Sequence, residues 1–315
     1  MKSKSPITIS LIAPVYGVEK YIARFADSVL SQSYPHMEFI FVNDGTKDRS
    51  IEILQELIDS KYPYRRKQVV IVNKKNEGLP AARRTGLDYV TGDYVYNVDP
   101  DDWLSPGSIE KIVNKIEKTN CDIVYFNYVK EYVKRSSRKC ERVYTGDSKE
   151  SYIRNMFNHK AYGTLCNKCV RFSLYSSNTI YVPRYGYAED CFVSVQLVGY
   201  ACSLAYLNED IYHYRKDNPN SMTRQGLKRR KYEYAANFLD MYEKYKDLPH
   251  DINPVECILD DIIMQAGWYS ILYNLDLFVL YPYLASAVRK AKVQFGSDVP
   301  LVAQFITKMC VLLRK

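Results

Sequence analysis

The chain has 315 residues, enough for one large α/β domain with a helical appendage. Apolar residues make up 47% and charged residues 25%, which excludes a disordered or fibrous chain. The formal net charge of +8 favours anionic partners, but no basic run carries an RNA-binding aromatic signature or paired Cys/His ligands, so nucleic acid is not expected.

Met1–Pro6 is polar and runs into the apolar segment Ile7–Pro14, without the layout of a secretory leader. Ile7–Pro14 reads as a buried strand, and Tyr21, Ile22, Phe25, Val29 and Leu30 recur at helical spacing after it. Met37–Asn43 is a second strand, followed by a helix striped by Ile51, Leu54 and Ile58, with Asp48 as its predicted N-cap. Val69–Asn73 is a third strand, Ala81–Val90 a third helix and Tyr94–Val98 a fourth strand. Ile109, Ile112, Val113 and Ile116 stripe a fourth helix, and Asp122–Tyr132 is another strand. Periodicity weakens over Arg142–Tyr187. Glu189–Tyr200 then reads as a helix, Ile211–Tyr214 as a short strand, and Tyr232–Lys246, Pro254–Leu272, Tyr283–Val293 and Leu301–Leu313 as helices.

Basic residues crowd Lys61–Arg84, Lys130–Arg142 and Arg224–Lys231, as solvated faces or as surfaces for phosphates or an acidic membrane. The longest apolar candidate for a span, Trp268–Leu284, is broken by Asn274, Asp276 and Pro282. The expectation is a cytoplasmic chain able to lean on the inner face of a membrane. Of eight cysteines, Cys166 and Cys169 form a CxxC pair with no second pair at zinc spacing, so buried thiols are expected. Thirty tyrosines, apolar with a polar tip, suit half-wet clefts.

Repeated β-α units predict a mostly parallel sheet covered on both faces, with ligands beyond the carboxyl ends of its strands. The residues just past each strand are therefore the candidates. The first strand ends in Ala13-Pro14-Val15-Tyr16, with Gly17 and Glu19 following. After the second strand comes Asp44, able to accept N–H bonds from a nucleobase or to cap a turn. The fourth ends in Asp99-Pro100-Asp101-Asp102. Residues i and i+2 of an extended segment point the same way, so Asp99 and Asp101 can converge. Paired carboxylates repel unless a cation sits between them, and Mg²⁺ or Mn²⁺ takes such ligands together with substrate phosphates. Acids at the start of a helix are the plainer alternative. Glu189 and Asp190 open a helix, as caps or as a general base. His213 and Arg215 end a strand, where cations can steady a leaving diphosphate.

In order, Ile9–Tyr16, Ala26–Ser33, Glu38–Asp48, Asn76–Gly86 and Gly92–Pro106 resemble the family 2 inverting glycosyltransferases of the GT-A fold. Weaker echoes follow at Asn167-Lys168, Ala188–Phe192 and Ile211–Arg224. The resemblance implies an α/β Rossmann-like domain over residues 1–225 that binds a nucleotide sugar and catalyses transfer. It leaves 226–315 as a helical region for acceptor, membrane-surface or oligomer contacts. Pro14, Val15, Tyr16 and Glu19 would line the nucleotide pocket, Asp44 would bond the base, usually uracil, and Arg83 would approach the donor. Asp99 and Asp101 would be the DxD pair serving ribose and a divalent metal (Mn²⁺ or Mg²⁺). Asp190 would be the catalytic base with Glu189 beside it, and His213 and Arg215 would close over the diphosphate. The implied partners are a UDP-sugar donor and a glycan or lipid-linked acceptor, in cell-surface polysaccharide synthesis. Gly17, Pro80, Arg84, Ala188 and Cys169 depart from the common pattern without removing a carboxylate. A sugar nucleotidyltransferase, or a binding module without turnover, is the alternative. The first would need a Gly-rich basic loop where Pro14-Val15-Tyr16-Gly17 stands.

Overall fold

The segment Ile9–Val15 (β1) is buried at every residue, as a strand at the centre of a sheet covered on both faces must be. The computed structural model describes residues 5–139, 149–158, 160–219, 221, 226–273 and 277. Four β-α units follow one another. They are β1 with α1 (Ile22–Leu30), β2 (Met37–Asn43) with α2 (Ser50–Ser60), β3 (Val69–Asn73) with α3 (Leu79–Leu87), and β4 (Tyr94–Asn97) with α4 (Ser108–Thr119). Strand side chains alternate between two cores. Ile9, Leu11, Phe39, Tyr94 and Tyr96 join α1 and α4 on one face, while Ile12, Ile40, Val42 and Val95 meet Ala82 and Leu87 of α3 on the other. Gly86 lets α3 approach this closely, since a Cβ there would collide with Ile12.

Further strands extend the sheet: β5 (Trp103–Leu104), β6 (Ile123–Tyr132), β7 (Arg135–Lys139), β8 (Lys168–Arg171) and β9 (Leu204–Arg215). The order is β3-β2-β1-β4-β8-β6-β9-β5, with β7 paired to β6. Strands β1, β2, β3, β4, β6 and β9 run one way, and β5, β7 and β8 the other. The chain winds outward from β1 to β3 and returns to β4 on the other side. The switch in strand order therefore falls between β1 and β4, where α/β sheets open a crevice.

Helices α5 (Lys149–Phe157), α6 (Phe172–Ser176), α7 (Glu189–Tyr200), α8 (Leu227–Tyr245) and α9 (Leu259–Leu272) complete the described chain. Phe157, Phe192, Tyr234, Phe238 and Ile262 join α5, α7, α8 and α9 in one apolar cluster. Among the described residues no helix is long and apolar enough to cross a membrane.

Several expectations need correction. The short strand at 211–214 is the end of the twelve-residue β9, whose pairing with β6 shifts register at Asn127 and so breaks the alternation a strand should show. Arg142–Tyr187 holds α5, β8 and α6 within its described part. Asp48 is not the N-cap of α2. Arg49 occupies that position, and Asp48 accepts the backbone N–H and the hydroxyl of Ser50 from one residue earlier. The helices expected at 283–293 and 301–313 lie outside the described residues.

Candidate active site

The three acids after β4 have separate surroundings. Asp102 is buried, and its carboxylate accepts from the Tyr212 hydroxyl at 2.5 Å and from the Arg215 backbone N–H at 2.6 Å. The Tyr212 oxygen in turn accepts the Asp99 N–H at 3.2 Å, which pins the turn to β9. Burial, with Asp101 and Asp99 adding, holds the Asp102 carboxyl well above the usual carboxylate range. Asp102 is thus a brace. Asp99 and Asp101 stay partly open to solvent. Asp99 Oδ1 accepts from Arg83 Nη2 at 2.6 Å, and Asp101 Oδ2 from Asn218 Nδ2 at 2.7 Å. Burial first, then the Asp99 charge, raises Asp101.

Arg83 projects from α3 and is buried with two carboxylates, Asp99 and Glu189. Its Nε has no hydrogen-bond partner among the described residues. Burial would lower the guanidinium, but Asp99 and Asp190 more than offset it, and Arg83 ends above its ordinary value. Glu189 and Asp190 form the first turn of α7. The residue before them, Ala188, has φ +58°, a left-handed conformation that non-glycine residues adopt at a cost. Glu189 is buried and Asp190 half-buried. Asp190 Oδ1 accepts the Cys191 N–H at 2.9 Å. Burial raises its carboxyl; Arg83 opposes this, Asp99 adds to it, and Lys168 opposes it more weakly, with a raised value as the outcome. Lys168 is itself buried, and its ammonium donates to the carbonyls of Tyr162 and Thr164 and to Asn167 Oδ1. Helices α3 and α7 and the turn after β4 therefore bring Arg83, Asp99, Glu189 and Asp190 together, with Asp101 beside Asp99.

The remaining candidates stand at the ends of β1, β2 and β9. Pro14 and Val15 are buried in the sheet, and Tyr16 is 54% exposed beyond them. Glu19 accepts the Arg49 N–H at 3.1 Å and its own N–H donates to Asp48, so its carboxylate serves the start of α2. Asp44 is buried. Its Oδ1 accepts from Lys74 Nζ at 2.9 Å and from the Glu77 N–H at 3.0 Å, while Oδ2 accepts the Gly78 N–H at 2.8 Å. A carboxylate has about four acceptor sites, which leaves room on Oδ2 for a further N–H. His213 stacks on Trp103, with Nδ1 2.8 Å from Glu131 and Nε2 2.9 Å from Ser105 Oγ, so both ring nitrogens are engaged. Arg215 lies over the rings of Tyr21 and Trp103, and its Nε donates to the Asp101 carbonyl at 2.9 Å.

Residue-level reading missed Tyr212, Asn218, Lys168 and Trp103 as parts of this site. Tyr212 and Asn218 lie in the segment that pointed to His213 and Arg215, but nothing in their spacing separates a brace from a ligand. A cavity of about 710 Å³ lies nearby, between α3, α6 and α7, with Arg83, Glu189, Asn97 and Tyr175 in its wall. Asp44, Asp99, Asp101 and Asp190 do not line it. Cys166 and Cys169 are free, buried thiols.

The family model for glycosyl transferase family 2 matches residues 10–178, more than half the chain and all of the site up to α7. The chain belongs to that family. Among relatives, this glycosyltransferase is 28% identical over 273 residues to EpsH of Bacillus subtilis, covering 82% of this chain and 77% of that one. Among solved structures it resembles S. aureus TarS 1–349 in complex with UDP-GlcNAc. There the TM-score is 0.65 at 19% identity, over 90% of this chain and 80% of that one. It also resembles the mannosyltransferase PcManGT of Pyrobaculum calidifontis in complex with GDP-Man and Mn²⁺. That TM-score is 0.52 at 15% identity, over 98% and 81% of the two chains. These likenesses show the GT-A fold.

Proposed function

We propose that this glycosyltransferase moves a sugar from a nucleoside diphosphate sugar, a UDP-sugar first, onto a hydroxyl of a glycan or lipid-linked saccharide in polysaccharide synthesis. The proposed reaction is one in-line displacement with inversion, of the hexosyltransferase type. The observation that carries it is Arg83 bridging Asp99 after β4 and Glu189, which precedes Asp190 in the first turn of α7, so that separate stretches of the chain meet. Asp190 is the base that takes the acceptor hydroxyl proton. Glu189 anchors Arg83, which keeps Asp99 oriented and still has an unused Nε donor for donor oxygens. Asp44 has an acceptor site left for a base N–H, with Tyr16 beside the same strand ends. Arg215 lies close enough to the acidic turn to steady developing negative charge. His213 acts through Trp103 and Glu131, positioning β9 rather than reaching substrate. Residues 1–225 are the donor-binding and catalytic unit, and 226–315 the region for acceptor or oligomer contacts. The proposed place of work is the cytoplasm.

A divalent cation fits the turn after β4. Burial and then the neighbouring Asp99 charge raise Asp101's cost of ionisation, and each carboxylate keeps acceptor capacity beyond the one side-chain donor it meets. Among the described residues no group of three or more ligands stands ready. That suits Mg²⁺ or Mn²⁺, which complete their shell with phosphate and water. Bound there, the ion would neutralise charge on the leaving diphosphate.

Thermal melting with a set of nucleotide sugars in Mn²⁺, followed by transfer assays, tests the reading. A ligand bound only by the native state raises the melting temperature. The expected outcome is a rise with one UDP-sugar and Mn²⁺, abolished by EDTA together with turnover and restored by Mn²⁺ or Mg²⁺. Full turnover in chelator would remove the cation, and no rise with any nucleoside diphosphate would remove the donor class.

A further inference from the structure

Strands β6 and β7 form a hairpin whose two-residue turn, Val133-Lys134, closes the pair Tyr132–Arg135. Its tip is apolar and open: Val133 is 78% exposed and Tyr132 37%. Lys134, Arg135 and Arg138 are exposed as well. The register places Tyr132 with Arg135, Lys130 with Ser137 and Tyr128 with Lys139 on one face, and β9 adds Tyr214 beside Lys130. Cations lie over rings on this face. Arg135 is 4.9 Å from the Tyr132 centroid, Lys216 4.7 Å from Tyr214 and Lys130 5.9 Å from Tyr128.

Like charges are crowded here. Burial, with repulsion from Lys216 and Lys139 adding, pushes the Lys130 ammonium below its ordinary value. The acid within the hairpin, Glu131, already holds His213 and the Ser136 hydroxyl. Such crowding works against the isolated protein and favours a surface dense in negative charge. Two observations select which surface. The ring faces of Tyr132, Tyr128 and Tyr214 carry cations, which disfavours stacking of nucleic-acid bases. The projecting Val133 has nothing to gain from a polyanion in water, whereas it can enter the headgroup layer of a bilayer. An apolar tip, tyrosines behind it and Lys/Arg at phosphate level is interfacial chemistry.

We propose that the β6–β7 hairpin docks the protein on an anionic lipid bilayer, with Val133 inserted and Lys130, Lys134, Arg135 and Lys139 on lipid phosphates. The rung just behind the hairpin tip adjoins the acidic turn: Glu131 lies opposite Arg215 in the β6–β9 register, and the Arg215 Nε donates to the Asp101 carbonyl. Docking there brings the cleft to the lipid surface, where an acceptor carried on a lipid would present its sugar. The docking does not depend on the transfer reaction.

Sedimentation of the full chain with phosphatidylglycerol–phosphatidylcholine vesicles, and with phosphatidylcholine alone, tests it. Binding to the anionic vesicles at low salt, weakened as salt rises, is expected. Val133→Asp should lower binding, and Lys134→Glu with Arg135→Glu should lower it by at least about tenfold. Both should keep the wild-type melting temperature and wild-type turnover on a water-soluble acceptor. Wild-type protein left in the supernatant at low salt would overturn the proposal. So would variants that bind vesicles as the wild type does, or an oligonucleotide that binds this hairpin and is indifferent to Val133→Asp.

Discussion

Tyr212 holds two ends of the acidic turn with one oxygen, donating to Asp102 and accepting from the Asp99 backbone. Both it and Asp102 are buried, so neither has water to fall back on. Removing the hydroxyl strands Asp102 Oδ2 and the Asp99 N–H, while Oδ1 keeps the Arg215 N–H, and each buried group left unpaired costs about 1–3 kcal/mol. Tyr212→Phe should therefore lower the melting temperature and loosen Asp99, cutting turnover more than nucleotide affinity. A variant that melts and turns over as the wild type would show that the brace is not needed. The same logic separates Asp102 from its neighbours. The sequence showed three acids within four residues, and the buried hydroxyl that claims one of them comes from β9, far along the chain.

At the scale of elements, α7 carries Glu189 and the proposed base Asp190 at its first turn, so whatever positions α7 positions Asp190. Its far end is set by Gly199, where a Cβ would run into the Pro254 carbonyl ahead of α9. Gly199→Ala should cost about 1–3 kcal/mol, as overpacked sites do, and show as a lower melting temperature. An unchanged melting temperature would mean the 254 loop moves freely. The four β-α units were legible because each strand is a continuous apolar run and each helix stripes its buried face, as in Ile109, Ile112, Val113 and Ile116. Strand β7 was not, because Arg135–Lys139 has no apolar residue and exists only by pairing with β6. Strand β8 was hidden by its length and by Lys168, whose burial depends on carbonyls that the fold supplies. The acids at strand ends were readable as candidates from topology alone. Their partners, Arg83 bridging Asp99 and Glu189 above all, depend on α3 and α7 meeting over the sheet.

The molecule as a whole is a sheet with its carboxyl-end crevice walled by helices that share a second core. The proposed chemistry rests on Asp190 acting as an ionised base. Burial raises that carboxyl, with Asp99 adding and Arg83 opposing, so protonation sets in at a higher pH than for a free aspartate. A base works only when deprotonated. Turnover should therefore fall as pH drops through the raised value, and its acid limb should lie at higher pH than a free aspartate would give. The most direct test is Asp190→Asn, with turnover and UDP affinity in Mn²⁺ measured side by side. A positioned base is typically worth about 10²–10⁴-fold, so turnover should fall by that order and lose its acid limb, while UDP binds as in the wild type. Near-normal turnover with the acid limb intact would contradict the assignment.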